Sequence, residues 1–345
     1  MMRIRLAAEE DRERWDAFVA AHKEGTPYQF WAWQEAVRKA YGYKHRYLLA
    51  EKENSICAIL PLIDFRIPFR GSRLISLPFC DAGGVLAQDM EVAGALIKHA
   101  EEYASCQLRA ISPQLPQFEN QTNKVRMLLD LPADSPSLMD GLKSKVRSQV
   151  RKPQRDGLSA HLGGQELVDD FYTVFSENMR DLGSPVHSRR WIDAIVASYA
   201  EKCRVGVVYT PQGEIAAAGI ILLHPGLVAI PWASARSVFN RLNPNMLLYW
   251  SFLAFACDQG YPCFDFGRST PNEGTYRFKK QWGAIAHPLY WYDVPGKCGH
   301  NHRLGSKRAQ NQMSGVRRGI TRVWQRLPLS VANILGPELR KYISL

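Results

Sequence analysis

The sequence predicts a mixed α/β fold made of two similar halves, followed by a basic helical tail. Three observations carry that expectation. Helix-period and strand-period apolar patterns alternate along residues 1–295. The same order of two helices and a strand–turn–strand occurs around residues 10–63 and again around 168–223, with the turns about 160 residues apart. The charge balance changes abruptly after residue 295.

In the first half, Trp15, Phe18 and Val19 mark one helix, and Phe30, Trp33, Val37 and Ala40 mark the next. Tyr47–Ala50, the polar turn Glu51-Lys52-Glu53-Asn54 and Ile56–Ile63 read as strand, turn and strand. Leu74–Leu77 is a short strand. Val92, Leu96, Ile97, Ala100 and Tyr103 mark a helix, and Leu108–Ile111 and Val125–Leu129 are strands. Leu138, Leu142 and Val146 open a helix that Pro153 and Gly157 end. Val168, Phe171, Tyr172, Phe175 and Met179 form an amphipathic stripe, and Trp191, Ile195, Val196 and Tyr199 form another. Val205–Tyr209, Pro211-Gln212-Gly213 and Ile215–Leu223 repeat the strand–turn–strand, and Leu227–Ala233 follows as a strand. His224-Pro225-Gly226 interrupts the apolar run 215–235, so a buried hairpin is expected there, not a membrane span. Met246–Cys257 is an apolar helix and Cys263–Phe266 a strand. The expected partition is 1–150, 151–295 and a tail 296–345.

Of the 345 residues, 46% are hydrophobic and 22% charged, which fits a globular chain of roughly two domains of ~150 residues each. The net charge is +11, but residues 296–345 hold ten Lys/Arg against one acid, Glu338. The high pI therefore describes the tail. A second basic cluster comprises Lys143, Lys145, Arg147, Arg151, Lys152 and Arg155, a site for anions or a solvated helix face. The seven cysteines are scattered without a CxxC pair, and the N-terminus has no apolar signal core. A reduced, cytoplasmic protein is the expectation. Cys298, His300 and His302 are too close together, and lack a fourth partner, for a common metal site, so no metal is expected. In the tail, Val316, Ile320, Val323, Trp324 and Leu327 share one helical face opposite Arg317, Arg318, Arg322 and Arg326, with Pro328 as the stop. That stripe either lies on an anionic inner-membrane surface or packs on the second half.

The most informative segment runs Phe264-Asp265-Phe266-Gly267-Arg268-Ser269-Thr270-Pro271, then Gly274-Thr275-Tyr276-Arg277-Phe278-Lys279-Lys280-Gln281-Trp282-Gly283. A strand ends in a loop bearing hydroxyls and charges, where functional groups often sit. Asp265, Arg268, Ser269 and Thr270 are candidates on that basis. The segment resembles the Fem family of peptidyl and aminoacyl transferases, which consist of two tandem GNAT-like domains. More narrowly it resembles their GNAT or BioF-like bacterial relatives, and the members associated with exosortase (PEP-CTERM) and exopolysaccharide systems. Residues 29–33 with Tyr41-Gly42, residues 179–185 with Trp191, and residues 243–248 extend the resemblance over nearly the whole chain.

The resemblance implies that Phe278 and Lys279 lie at the acyl end of the donor, the lysine stabilising the oxyanion of acyl transfer. A fixed cation there lowers the barrier by on the order of 3 kcal/mol. The alternative is a surface lysine beside Lys280. The resemblance also implies Arg38 as the acceptor-phosphate contact, with Trp33 a further substrate-binding candidate, Arg189 and Arg190 weaker candidates, and Tyr276 a general acid or a packed core residue. One departure matters: the glycine-rich turn that cradles the pyrophosphate of acetyl-CoA is replaced by residues 236–245, which contain no glycine. The implied donor is therefore an aminoacyl-tRNA, an acyl carrier protein or an acyl-CoA in another pose. The implied acceptor is an amine or hydroxyl of a phosphate-bearing or lipid-linked envelope or exopolysaccharide precursor. Acetyl-CoA-dependent N- or O-acetyl transfer, and a non-catalytic scaffold in polysaccharide assembly, stand as alternatives.

Overall fold

The computed structural model describes residues 2–68, 71–297 and 319–345. The repeat is present and longer than its pattern indicated. In the first half the strand Arg3–Leu6 precedes the helices Arg12–Ala21 and Trp31–Tyr41 and the strands Leu48–Lys52 and Ser55–Leu60. In the second, Ser159–Gly163 precedes Val168–Asp181, Arg189–Tyr199, Cys203–Tyr209 and Ile215–His224. Each set of three strands pairs antiparallel in the same order. The two-residue turn at Glu53 and Asn54 has φ of 51° and 63°, the backbone that matches the twist of a tight hairpin. Gly213 at φ 80° serves the equivalent turn in the second half.

The first half completes one four-stranded sheet with Leu86–Ala87 and builds another from Ile63–Ile67, Gly71–Ile75, Cys106–Ala110 and Tyr290–Val294. The second half is a seven-stranded sheet, ordered Ile285–Pro288, Val125–Asp130, Cys263–Ser269, Leu227–Ala235, Ile215–His224, Cys203–Tyr209, Ser159–Gly163. Only the neighbours Leu227–Ala235 and Cys263–Ser269 run parallel, joined by the apolar helix Pro244–Asp258. That helix lies close on the sheet because two positions beneath it are glycine. A Cβ at Gly206 would meet the Phe252 ring at 2.5 Å, and one at Gly219 would meet it at 2.9 Å. The hairpin expected around residues 224–226 is present, and His224 is buried with Nε2 3.0 Å from the Val19 carbonyl.

Several expectations need correction. The sheets do not divide at residue 150: Val125–Asp130 belongs to the second sheet, and Tyr290–Val294 returns to pair with Cys106–Ala110. The helix expected to open at Leu138 is two helices, Ser135–Gly141 and Ser144–Arg155, parted where Leu142 and Lys143 take extended ψ. Pro153 lies inside the second and does not end it. The tail stripe also splits. Trp324 turns inward and is buried, whereas Ile320 and Val323 are exposed, and Pro328 starts a further helix, Leu329–Arg340. Val316, Arg317 and Arg318 lie outside the described residues.

The two halves share one apolar core. The second helices of the repeat, Trp31–Tyr41 and Arg189–Tyr199, pack on each other and gather Trp33, Tyr41, Phe79, His187, Trp191 and Trp232. The C-terminal segment closes over this junction. Arg340 Nε donates to His187 Nε2 at 3.1 Å, the Tyr43 hydroxyl to the Lys341 carbonyl at 2.6 Å, and the Phe79 N–H to the Ser344 carbonyl at 2.7 Å.

Candidate active site

The strand Cys263–Ser269 pairs with Leu227–Ala235 only at Val228–Phe264 and Ala229–Asp265. Gly267 then takes φ 72°, a conformation open to glycine, and the register against Val125–Asp130 shifts between Asp265 and Arg268. On the helix Gly274–Gln281, Lys279 donates to the carbonyls of Gly267 and Arg268 at 3.1 and 2.7 Å. Lys279 is 7% exposed. Burial pushes its pKa down to about 8, opposed by the carboxylates of Asp81 and Asp265 and assisted by Arg268. Lys280, the next residue, is exposed.

Asp265 is buried. Its Oδ2 accepts from Arg126 Nη2 at 2.8 Å and Nε at 3.2 Å, and its Oδ1 accepts the Gly267 N–H at 2.8 Å. It therefore holds the bulge in place. Arg268 reaches to the first half: its Nε lies 3.2 Å from Asp81 Oδ1, and its N–H donates to Asp81 Oδ2 at 3.2 Å. The guanidinium groups of Arg268 and Arg109 lie 5.5 and 5.0 Å from the ring centroid of Trp291, whose Nε1 donates to the Asp81 carbonyl. Ser269 is buried with its hydroxyl unpartnered, and the Thr270 hydroxyl accepts from Lys124 Nζ at 2.6 Å.

Tyr276 and Lys280 of the helix Gly274–Gln281 face a cleft of about 550 Å³, lined also by residues 141–143 and 281–286. Its lining includes Lys143 and Lys280 and no acidic side chain. The helix Ser144–Arg155 starts at its edge with no acid in the first turn, so the positive end of the helix dipole adds to the two lysines. Trp282 is buried with its indole N–H unpartnered on the same wall.

The structure thus joins Asp265, Arg268 and Lys279 through the Gly267 bulge, with Ser269 at the end of the same strand and Thr270 following it, while Tyr276 faces the cleft. Phe278 is half-buried and packs edge-on against Tyr249, with ring centroids 5.0 Å apart, so its contacts are with the core. Trp33, expected to touch substrate, is fully buried with Nε1 donating to the Pro78 carbonyl at 3.0 Å, and has no surface left for a ligand. Arg38 and Arg190 are exposed on the two junction helices, outside the Lys279 cluster, and Arg189 is held by Asp169 and Asp193. The sequence reading missed Asp81, Lys124, Arg126, Arg109 and Trp291. Arg126 had a signal: a charge inside the apolar run Val125–Leu129 needs a buried partner.

Among the described residues no group of three His, Cys, Asp or Glu side chains is placed to hold a metal ion, and Cys298, His300 and His302 lie outside them. The described cysteines are free, and burial pushes the thiol of Cys263, next to the site in sequence, up to about 11. No helix among the described residues is long and apolar enough to cross a membrane.

Residues 143–280 match the family model described as an acetyltransferase (GNAT) domain. No relative is found among curated proteins. Among solved structures, the chain is similar to FemX, with 14% identity and a TM-score of 0.70 over 85% of this chain and 97% of that one. It is similar to L-PGS from Bacillus licheniformis, with 13% identity and a TM-score of 0.56 over 92% and 99%. It is also similar to a tandem GNAT protein from the clavulanic acid biosynthesis pathway, with 10% identity and a TM-score of 0.54 over 85% and 98%. Residues 143–280 are thus similar to an acetyltransferase (GNAT) domain, within a fold similar to that of a tandem GNAT protein.

Proposed function

We propose that the chain moves an acyl or aminoacyl group from an anionic carrier to an amine or hydroxyl of a phosphate-bearing envelope or exopolysaccharide precursor. The observation that carries this reading is the cleft with a purely cationic and neutral lining, on the wall of which lies the helix Gly274–Gln281 that also bears the buried Lys279. Attack on an ester carbonyl forms the new bond to nitrogen or oxygen, and the carbonyl oxygen takes up negative charge. An ammonium has three donors, and two of those on Lys279 are engaged by the Gly267 and Arg268 carbonyls. The third serves the developing oxyanion. Collapse breaks the bond to the carrier oxygen, or to sulfur in a thioester carrier; Tyr276, on the cleft wall, gives the leaving atom its proton and regains one from the attacking amine or hydroxyl.

The donor reading rests on the approach to the helix Pro244–Asp258. Residues Ser237–Leu242 form a 3-10 helix there, and Arg236 is tied to Glu177 at 2.9 Å and lies over Phe239. This is a poor pyrophosphate cradle, which disfavours acetyl-CoA in its ordinary pose and supports an aminoacyl-tRNA or acyl carrier protein. Similarity to FemX supports an envelope precursor as acceptor, in keeping with the Fem-like resemblance of the 264–283 segment.

The test offers labelled aminoacyl-tRNA and acetyl-CoA separately, with a phosphate-bearing precursor extract as acceptor. Transfer from the aminoacyl carrier is expected, with its loss in Lys279→Ala and with no calorimetric binding of acetyl-CoA. Sub-micromolar acetyl-CoA binding, with its pyrophosphate on the turn before Met246, would replace this reading with acetyl-CoA-dependent acetyl transfer.

A further inference from the structure

The helix Leu329–Arg340 is amphipathic in the opposite sense from an ordinary surface helix. Its inward side is small: Ala332 and Gly336 are buried, and a Cβ at Gly336 would lie 3.0 Å from Val186. Its outward side carries Val331, Ile334, Leu335 and Leu339, which are 36, 70, 45 and 48% exposed. These positions recur at the spacing of one helical face. The preceding helical turns, residues 319–325, direct Trp324 inward and leave Ile320 and Val323 exposed. A water-facing helix gains nothing from large aliphatic side chains in such a row, and monomeric surfaces rarely expose them together.

We propose that this face docks on the surface of an anionic lipid bilayer. Charge identifies the occupant. Arg322 and Arg326 are exposed next to Ile320 and Val323, and the single acid of the tail, Glu338, is neutralised by Lys341 at 2.6 Å. Residues 296–345 hold ten basic residues against that one acid. A second copy of the chain would bring two such tails together and repel itself, whereas an anionic leaflet complements them. Aliphatic side chains flanked by arginines are the pattern of a helix lying in a membrane interface. The consequence is geometric. The helix ends at Arg340, which is bonded to His187, and the chain continues to Ser344, which accepts from Arg109 beside Arg268 and Trp291. A bilayer held against the outward face would therefore lie against the same C-terminal segment whose end touches Arg109 beside Arg268. Its bearing on a lipid-linked acceptor rests on the proposed acyl transfer; the docking itself does not.

The test is flotation of the full chain with vesicles of phosphatidylcholine alone and of phosphatidylcholine with phosphatidylglycerol. Binding to the anionic vesicles is expected, weakening by about tenfold or more in high salt or on neutral vesicles. Ile334→Ser with Leu339→Ser should lower the partition coefficient by about tenfold at an unchanged melting temperature, because both side chains face outward. Arg322→Ala with Arg326→Ala should lower it on anionic vesicles only. Transfer to a water-soluble acceptor should persist in the serine variant, which separates this proposal from the assignment of function. Absence of flotation with both vesicles overturns the docking, as does a serine variant that floats like the parent chain. So does a parent dimer that the serine substitutions convert to monomer, which would assign the face to a second copy.

Discussion

Trp33 and Trp191 meet edge to face, with ring centroids 5.3 Å apart, and each is the third residue of the second helix of its half. Equivalent positions of the repeat are thus in contact where the halves join. Both rings are fully buried. Trp33→Ala should destabilise the protein by about 3–5 kcal/mol, the range for emptying a buried indole site. Urea unfolding measures it. Trp33→Phe, which keeps an aromatic ring at the junction, should lose less and leave the KM for acceptor unchanged, as expected for a core residue and not a substrate contact.

Lys279 has a folded pKa near 8 against 10.5 in the free side chain, because burial disfavours its charge. If its ammonium stabilises the oxyanion, kcat/KM should fall as pH rises through about 8, and Lys279→Arg should move that fall to higher pH. Stability should move the other way. Between those pKa values the unfolded chain holds a proton that the native chain has released, so the native state gains stability as pH rises, by at most about 1.4 kcal/mol per pH unit. Lys279→Met should flatten both profiles.

The buried Arg126–Asp265 pair should respond asymmetrically to substitution. Arg126→Met leaves a buried carboxylate without its cation, and should cost about 3–5 kcal/mol in chemical denaturation. Adding Asp265→Asn should recover part of that loss, because the orphaned charge is gone. The new asparagine would still offer an oxygen to the Gly267 N–H, so the double variant should keep more transfer activity than Asp265→Ala, which removes the acceptor that fixes the bulge anchoring Lys279.

His187 sits between the Tyr41 hydroxyl, 2.7 Å from Nδ1, and Arg340 Nε, 3.1 Å from Nε2. Burial, with a smaller effect from Arg340, holds its pKa well below the ordinary 6.5. Below about pH 6.5 the unfolded chain gains a proton that the native chain does not, so stability should fall on acidification. His187→Gln should reduce the slope of melting temperature against pH between about pH 6.5 and 5.

Deleting residues 341–345 should destabilise the first half as well as the tail. Arg109, 1% exposed, loses the Ser344 carbonyl and hydroxyl as acceptors, and Phe79 N–H loses its partner. A loss of about 1–3 kcal/mol is expected, read from thermal unfolding.

The sequence by itself determined the α/β class and the tandem repeat. Each of these is written in local periodicity: Phe171 and Phe175 repeat at helical spacing, and Glu53-Asn54 and Gly213 mark equivalent turns. It also separated Lys279 from its neighbour only through a family resemblance, since two adjacent lysines look alike in a string. Tertiary structure decided the rest. It buried Lys279 and left Lys280 in solvent, set Asp81 against Arg268 across 187 positions, and turned Trp33 from a substrate contact into the seam between the halves. It carried Val125–Asp130 and Tyr290–Val294 each into the sheet of the other half, which no periodicity within a strand can announce. It also turned Trp324 inward while leaving Ile334, Leu335 and Leu339 facing out. The physical reason is common to all of these. Helical and strand periods report which face of an element is apolar, whereas the partner that covers the face, or the charge that answers a buried charge, is chosen by chain segments far away in sequence.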